Sequence, residues 1–183
     1  MRIYLAGPDV FLPDAVAIGR SKREICERHG VTGLYPLDNT VDFAASDVSL
    51  QIFRGNVAMM DAADAIIANL TPFRGPGADP GTAYELGYMA GHGKRCLAYC
   101  NDPAVYAERV ARFTTVTSAS DKRLIDADGL TVEDFGLPDN LMMIHALDLH
   151  GSPRALPRAR PQDVWHDFTA FEACVRLAAE KLG

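Results

Sequence analysis

Residues 61–88 read DAADAIIANLTPFRGPGADPGTAYELGY, and this stretch decides the predicted fold. The apolar run at residues 65–70 is compatible with a strand buried on both faces of a parallel sheet. Two prolines and two glycines at residues 71–78 favour a loop, because proline lacks an amide donor and glycine admits unusual backbone angles. Asp79 followed by Pro80 then predicts the start of a helix with Asp79 as its N-cap. A strand, a loop and a helix therefore follow one another.

The same alternation of strand and helix patterns extends on both sides of this unit. It favours an α/β fold with a doubly wound, mostly parallel sheet of flavodoxin-like (Rossmann-like) order, flanked by helices. With 183 residues, 48% of them hydrophobic, the chain is long enough for one domain with a substantial core, and we expect a single domain over residues 1–183. The predicted strands are residues 2–6, 31–35, 65–70 and 95–100, and helices are predicted at residues 14–29, 49–62, from residue 79 onward, 104–113, 137–147 and 163–182.

Three segments outside the central unit carry further expectations. Residues 114–135 are polar with a turn signal at Asp128 and Gly129, and they predict either a hairpin excursion or a long loop. Residues 150–162 hold three prolines and three arginines, which is typical of a linker or surface arm. In the helix predicted at residues 137–147, Asn140 is expected in the first turn.

Composition and charge exclude several classes of protein. The net charge of −6 argues against a nucleic-acid partner, because phosphate backbones are bound by clustered Lys and Arg. The apolar stretch at residues 3–6 is too short for a signal-peptide core or a membrane span, so we expect a cytoplasmic protein with no membrane contact. The four cysteines and five histidines show no metal-ligand spacing, so neither a metal nor a cofactor is predicted.

Glu85 is the candidate reactive residue of the central unit. It lies in the second turn of the helix that begins after Asp79, on the flank of the apolar stripe. In an open α/β sheet, small ligands bind beyond the carboxyl ends of the strands, where both acids are expected. A simpler interpretation is that acidic residues near a helix start complement the positive end of the helix dipole. Spacing alone leaves both interpretations open.

Five segments of the chain together resemble the nucleoside 2-deoxyribosyltransferase family. The resemblance covers roughly residues 1–103 and 134–146 in the expected order. A five-part pattern is far more specific than the short ELGY piece, which occurs in many helices. The matching segments are IYLAGPDVF at residues 3–11, YPLDN at 35–39, ADAIIANLTPF at 63–73, GTAYELGYMAGHGK at 81–94 and DNLM at 139–142.

The resemblance implies specific roles for residues of these motifs. Glu85 is implied to be the nucleophile that attacks the anomeric carbon of a 2-deoxyribosyl group, and Asp79 the acid that assists departure of the nucleobase. The hydroxyl of Tyr4 is implied to contact and orient the nucleophile. Asn140 is implied to reach sugar hydroxyls in the active site of a neighbouring subunit, which makes the enzyme a homo-oligomer with shared sites. The implied substrate-binding residues are Gly7, Phe11, Asn39, Asn56, Asp139 and Asn140, and the substrates are 2'-deoxynucleosides and free nucleobases.

One position departs from the family pattern. Some members carry a sugar-binding aspartate eight residues before the position of Asp64, where this chain has Asn56. An amide keeps the hydrogen-bonding capacity of that position but loses its charge. We therefore expect Asn56 in the sugar pocket as an uncharged partner.

Three other functions are alternatives to transfer. A nucleoside or nucleotide N-glycosidase of the same superfamily would hydrolyse the substrate with the same residues. A dinucleotide-binding fingerprint is disfavoured, because after Gly75 and Gly77 the next glycine, Gly81, comes one place too late. A receiver-like nucleotide sensor would need an aspartate at the end of the central strand, where this chain has Asn69 and Leu70.

Overall fold

A five-stranded parallel sheet forms the centre of the protein. The structure is a computed structural model that describes residues 1–149, 154–157 and 159–180. Its strands are β1 (Arg2–Ala6), β2 (Thr32–Leu34), β3 (Ala65–Asn69), β4 (Arg95–Tyr99) and β8 (Arg154–Ala155). Their order in the sheet is β2-β1-β3-β4-β8, and every neighbouring pair is parallel. This confirms the predicted doubly wound sheet of flavodoxin-like order.

Six α-helices lie along the described chain, and five of them cover the two faces of the sheet. Their bounds are α1 (Ala15–Arg28), α2 (Val48–Ala62), α3 (Pro80–Gly91), α4 (Tyr106–Phe113), α5 (Leu141–Leu149) and α6 (Thr169–Glu180). Residues of α1 and α6 pack on one face, and residues of α2, α3 and α5 pack on the other. None of the helices in the described residues is both long and apolar enough to cross a bilayer.

Strand β3 is central because both of its faces are buried. All five of its residues are buried. Successive side chains of a strand point to opposite faces, so Ile67 joins the cluster with α1 and α6 while Ile66 joins the cluster with α2, α3 and α5. An isoleucine that is fully removed from water contributes about 2 kcal/mol of hydrophobic stabilisation. The unbroken apolar run therefore fixes β3 between two layers of helices.

Helix α3 begins as the sequence predicts. Asp79 is its N-cap, with one carboxylate oxygen accepting the backbone N–H of Thr82 at 2.9 Å, and Pro80 stands at the first helical position. The helix ends before Gly93, whose φ of 66° lies in the left-handed region. Together with β3 this confirms the strand, loop and helix of residues 61–88. The other predicted elements as far as residue 113 are also present, with ends that differ by up to two residues.

Residues 114–135 adopt the hairpin form of the two expected. A small antiparallel sheet of β5 (Thr117–Ser118), β6 (Leu124–Ile125) and β7 (Thr131–Val132) forms there. Val132 packs with Ala107 and Val110 of α4, which attaches this sheet to the rest of the molecule.

The C-terminal third requires three corrections. Residues 150–162 are not only a linker, because they contain β8, the fifth strand, which pairs with β4 through Tyr99 and Ala155. Residues 150–153 and 158 of this segment lie outside the described residues. Helix α6 begins at Thr169 rather than at residue 163, because the Asp163 side chain accepts the backbone N–H groups of Trp165 and His166 in a turn. The predicted end of this helix at residue 182 lies outside the described residues. Helix α5 begins at Leu141, so Asn140 precedes it.

Candidate active site

A cavity of about 370 Å³ opens at the carboxyl ends of β1 and β3. Six of the predicted site residues line it, and they come from the segments after β1 and β2, from α2 and from the start of α3. The apolar part of its wall includes Val10, Leu37, Val41, Phe43 and Ile52. The predicted residues that line it are Gly7, Phe11, Asn39, Asn56, Asp79 and Glu85.

Glu85 faces this cavity and is held by the first strand. The Tyr4 hydroxyl, on the fully buried side chain of β1, donates a 2.6 Å hydrogen bond to Glu85 Oε1. Burial raises the pKa of Glu85 to about 7; the Tyr4 hydrogen bond lowers it in part, and the charges of Asp79 and Asp9 add to the rise. The pKa of Tyr4 is raised by burial and by the charge of Glu85, so its hydroxyl keeps its proton. Near neutral pH the carboxyl group therefore exists in both protonation states.

Asp79 is oriented by the helix that it caps. Its Oδ2 accepts both the backbone N–H of Thr82, at 2.9 Å, and the Thr82 hydroxyl, at 3.1 Å. Because both bonds end on Oδ2, Oδ1 is the oxygen of this carboxylate that remains for a ligand in the cavity. Thr82 is buried and lines the same cavity. Thr82 is not among the site residues predicted from the sequence, although a hydroxyl residue three positions after an N-cap is a detectable signal.

Two asparagines form the opposite wall. Asn39 donates its side-chain N–H to Oδ1 of Asn56 at 2.9 Å, which leaves the amide hydrogens of Asn56 available to donate. Gly55 makes room for this pair, because a Cβ at that position would lie 2.6 Å from the Asn39 side chain. Where some family members have an aspartate, this chain therefore has Asn56, whose side-chain oxygen accepts a hydrogen bond from Asn39.

A buried charge network that the motifs do not predict lies next to the cavity. Asp9 is 1% exposed and accepts hydrogen bonds from Lys22 at 2.6 Å, from Asn69 at 3.0 Å and from the Tyr35 hydroxyl at 3.2 Å. Burial works to raise the pKa of Asp9, but the Lys22 charge and the hydrogen bonds from Lys22 and Asn69 outweigh it and lower the pKa. Gly7 passes closely, since a Cβ there would lie 2.4 Å from Asp9 Oδ1. The network therefore fixes the segment that supplies the cavity's first wall.

One signal in the sequence pointed to this network. Lys22 falls on the apolar stripe of α1 together with Ile18 and Ile25, where a charged side chain requires a buried partner. The stripe shows that a partner exists, but Asp9 is identified only once α1 has folded back against the segment after β1.

Asp139 and Asn140 do not line the cavity. Asp139 is 2% exposed and pairs with the equally buried Arg109 at 3.2 Å, while burial raises its pKa against the opposing effects of the Asn140 backbone N–H and Arg109. Asn140 donates to Glu133 Oε1 at 2.8 Å and accepts the backbone N–H of Met142 at 3.0 Å. Contact of these two residues with a substrate stays a prediction. Within the described ranges, no group of three or more His, Cys, Asp or Glu residues is arranged to hold a metal ion.

A ligand-sized cavity with two acids at the carboxyl ends of a parallel sheet is the arrangement of an α/β enzyme for small molecules. Residues 3–142 match the model of the nucleoside 2-deoxyribosyltransferase family, and the chain belongs to this family. The family indicates an enzyme of the deoxyribosyltransferase type.

Two solved structures and one protein matched by sequence are similar to this chain. A 2-deoxyribosyltransferase from Leishmania mexicana is 34% identical, with a TM-score of 0.66 over 95% of this chain and 96% of that one. A conserved protein from Enterococcus faecalis, 18% identical with a TM-score of 0.58 over 100% and 99% of the two chains, shares the fold. An uncharacterized protein of Schizosaccharomyces pombe is 39% identical over 158 residues, which is 76% of this chain and 74% of that protein.

Proposed function

We propose that this protein transfers the 2-deoxyribosyl group between nucleobases, with Glu85 as a covalent nucleophile. The observation that carries the proposal is the Tyr4 hydrogen bond to Glu85 Oε1 at the floor of the cavity, with Asp79 on the same helix. The bond holds one carboxylate oxygen in place and leaves Oε2 for attack on C1' of the sugar. A nucleophile held in one orientation loses less entropy on reaching the transition state.

The chemistry requires two carboxyl groups with different tasks. As the bond between C1' and the base nitrogen breaks, positive charge develops on the sugar and negative charge on the base. Glu85 forms an ester with C1', and Asp79 supplies a proton to, or holds one at, a ring nitrogen of the departing base. An incoming base then attacks C1' through a ring nitrogen and gives its proton to Asp79, while the bond from C1' to Glu85 breaks and the carboxylate is restored. Two displacements retain the configuration at the anomeric carbon.

The remaining predicted residues complete the proposed site. Asn56, whose oxygen is occupied by Asn39, donates to a sugar hydroxyl, and Gly7 and Phe11 border the base. Asn140 reaches sugar hydroxyls in the site of a second subunit of a homo-oligomer, which is compatible with its position outside the cavity of its own chain. Asp139 is buried against Arg109 and contributes by accepting the backbone N–H of Asn140 at 2.8 Å. The substrates are 2'-deoxynucleosides and free nucleobases, in the cytoplasm.

The hydrolytic alternative, a nucleoside or nucleotide N-glycosidase, uses the same first step. One observation supports keeping it: the cavity wall contains Phe43, which is 80% exposed, and Ile52, which is 39% exposed, so water can enter beside them in a single chain. Water that attacks C1' of the ester gives free sugar, whereas a base gives a new nucleoside.

Chromatography of reaction mixtures distinguishes transfer from hydrolysis. Deoxyinosine with adenine is expected to yield deoxyadenosine; thymidine with adenine tests pyrimidine donors, and inosine tests ribose. Glu85→Gln is expected to abolish exchange, while the exposed Glu24→Gln on α1 serves as the matched control. Trapping with a 2-fluoro sugar is expected to add the mass of one sugar to the protein. Free sugar as the sole product overturns transfer, and undiminished exchange by Glu85→Gln overturns the nucleophile.

A further inference from the structure

Arg74 has an unfavourable backbone conformation next to the cavity. Its φ of 54° lies in the left-handed region, which side chains other than glycine rarely adopt. Within the described residues, Lys122 in the hairpin is the other such case. Conformations of this kind persist where surrounding contacts compensate for them, and they concentrate at functional sites.

The contacts that compensate at Arg74 are aromatic. Its guanidinium carbon lies 4.6 Å from the ring centre of Phe73 and 5.5 Å from that of Phe11. The two rings are stacked, with centres 5.3 Å apart and planes inclined by 17°. Both distances from the guanidinium lie within the roughly 6 Å over which a cation attracts an aromatic ring, so the guanidinium interacts with both rings. It therefore joins the segment after β1 to the loop after β3.

The loop that carries Arg74 is itself anchored. The backbone N–H of Phe73 bonds the Gly77 carbonyl at 3.0 Å and closes the loop. At its start, the Asn69 side chain accepts the backbone N–H of Thr71 at 3.1 Å. The same loop leads directly into Asp79. Arg74 and Phe73 thus attach Phe11 to a fixed part of the site.

Phe11 needs such an attachment. It lines the cavity but is 57% exposed, so on its own the ring has few neighbours to fix its position. The cavity's lining residues, all in the described chain, include no Lys or Arg. The charge of Arg74 thus acts on the Phe11 ring rather than directly on a ligand in the cavity.

We infer that Arg74 is a positioning residue that holds Phe11 as the wall against which the nucleobase stacks, and so sets the affinity of the site for the base. The inference rests on the proposed function for the identity of the ligand. A held ring offers a flat apolar face without an entropy loss on binding, whereas a free ring must be ordered by the ligand.

A double-mutant cycle on the intact protein tests this inference. Adenine affinity is measured by equilibrium dialysis for Arg74→Asn, Phe11→Ala and the double variant, and kcat and KM are measured in the exchange assay. Asparagine tolerates the left-handed region, so Arg74→Asn removes the guanidinium without adding backbone strain. Arg123→Asn, in the small sheet, is the matched control. Thermal unfolding shows that each variant is folded, and Arg74→Gly replaces Arg74→Asn if the latter is not.

The expected result is a loss of adenine affinity of about fivefold for Arg74→Asn, equivalent to about 1 kcal/mol. KM for the base rises in parallel while kcat stays within about twofold, and Arg74→Asn has no further effect in the Phe11→Ala background. Unchanged affinity, or losses that add in the double variant, overturns the inference. The exchange assay on the unaltered protein tests the proposed function separately, because equilibrium dialysis measures adenine binding whether or not the protein transfers a sugar.

Discussion

Tyr4 on the first strand and Glu85 on the third helix are 81 residues apart in sequence, yet the tyrosine hydroxyl lies 2.6 Å from the glutamate oxygen Oε1. The bond spans the parallel pair of β1 and β3 and the loop that follows β3. The Tyr4 hydroxyl is thus a hydrogen-bond donor to the largely buried carboxyl group of Glu85. Its effect on the protonation of Glu85 leads to the first prediction.

Tyr4→Phe is expected to raise the pKa of Glu85 further, because the hydrogen bond that is lost lowers it. Less of the carboxylate is then ionised at neutral pH, and exchange at pH 7 falls about tenfold, in line with a hydrogen bond to a charged group. The measurement is kcat/KM against pH, whose acidic limb moves to higher pH. Tyr88→Phe is the control, because the Tyr88 hydroxyl bonds Asp61 at the surface. An unmoved acidic limb contradicts the assignment.

Glu85→Gln is expected to stabilise the protein above neutral pH. The folded-state pKa of Glu85, about 7, exceeds its ordinary value of 4.5 because of burial, so the folded state binds more protons between these values. Stability from this group is therefore lost as pH rises from 4.5 to about 7, by roughly 3 kcal/mol at about 1.4 kcal/mol per pKa unit. Urea unfolding at pH 5 and pH 8 measures the difference. Equal pH dependence in both proteins would contradict this desolvation.

Gly55→Ala is expected to separate Asn39 from Asn56, since the added Cβ would lie 2.6 Å from the Asn39 side chain. KM for the deoxynucleoside should rise several-fold, because the proposed sugar-binding amide loses its partner. Gly87→Ala is the matched control on α3, where an added Cβ meets nothing within 4 Å. That substitution should stabilise the helix by about 1 kcal/mol. Kinetics and thermal unfolding of both variants test the prediction, and similar KM values for the two would refute it.

Lys22→Met is expected to destabilise the protein by about 3 kcal/mol or more, because it leaves the carboxylate of Asp9 buried without its cation. The double variant Lys22→Met/Asp9→Asn should recover much of the loss, since the uncompensated charge is then gone. Urea unfolding of the single and double variants at pH 7 is the measurement. A double variant that is less stable than Lys22→Met would show that the charge is not the source of the loss.

Local sequence was sufficient for much of the fold. The apolar run of β3 and the Asp79–Pro80 start of α3 depend on neighbouring residues alone, and both were predicted. Strand β8 was not predicted, because its two residues carry no periodicity and become a strand only through hydrogen bonds to β4. The single-domain organisation stays a prediction.

The site divides in the same way. The motifs identified Glu85, Asp79 and Tyr4, and the cavity brings Glu85 and Asp79 together with four more of the predicted residues. The residues that pair with the predicted site residues could not all be identified from the sequence. Asp139 belongs to a motif, but its pairing with Arg109 joins residues 30 positions apart. Such a pairing depends on how α4 packs, which no local pattern reports.

The sequence by itself determined the strands and helices as far as residue 113 and placed Glu85 and Asp79 at the end of the sheet, because periodicity, caps and turns act over a few residues. The tertiary structure alone decided that Asp9 pairs with Lys22, that Asn39 holds Asn56, and that Arg74 covers the rings of Phe11 and Phe73. These contacts join segments that meet only after the sheet has assembled. The pair of Asp9 and Lys22 draws its strength from burial, and a residue acquires burial only from the folded chain around it.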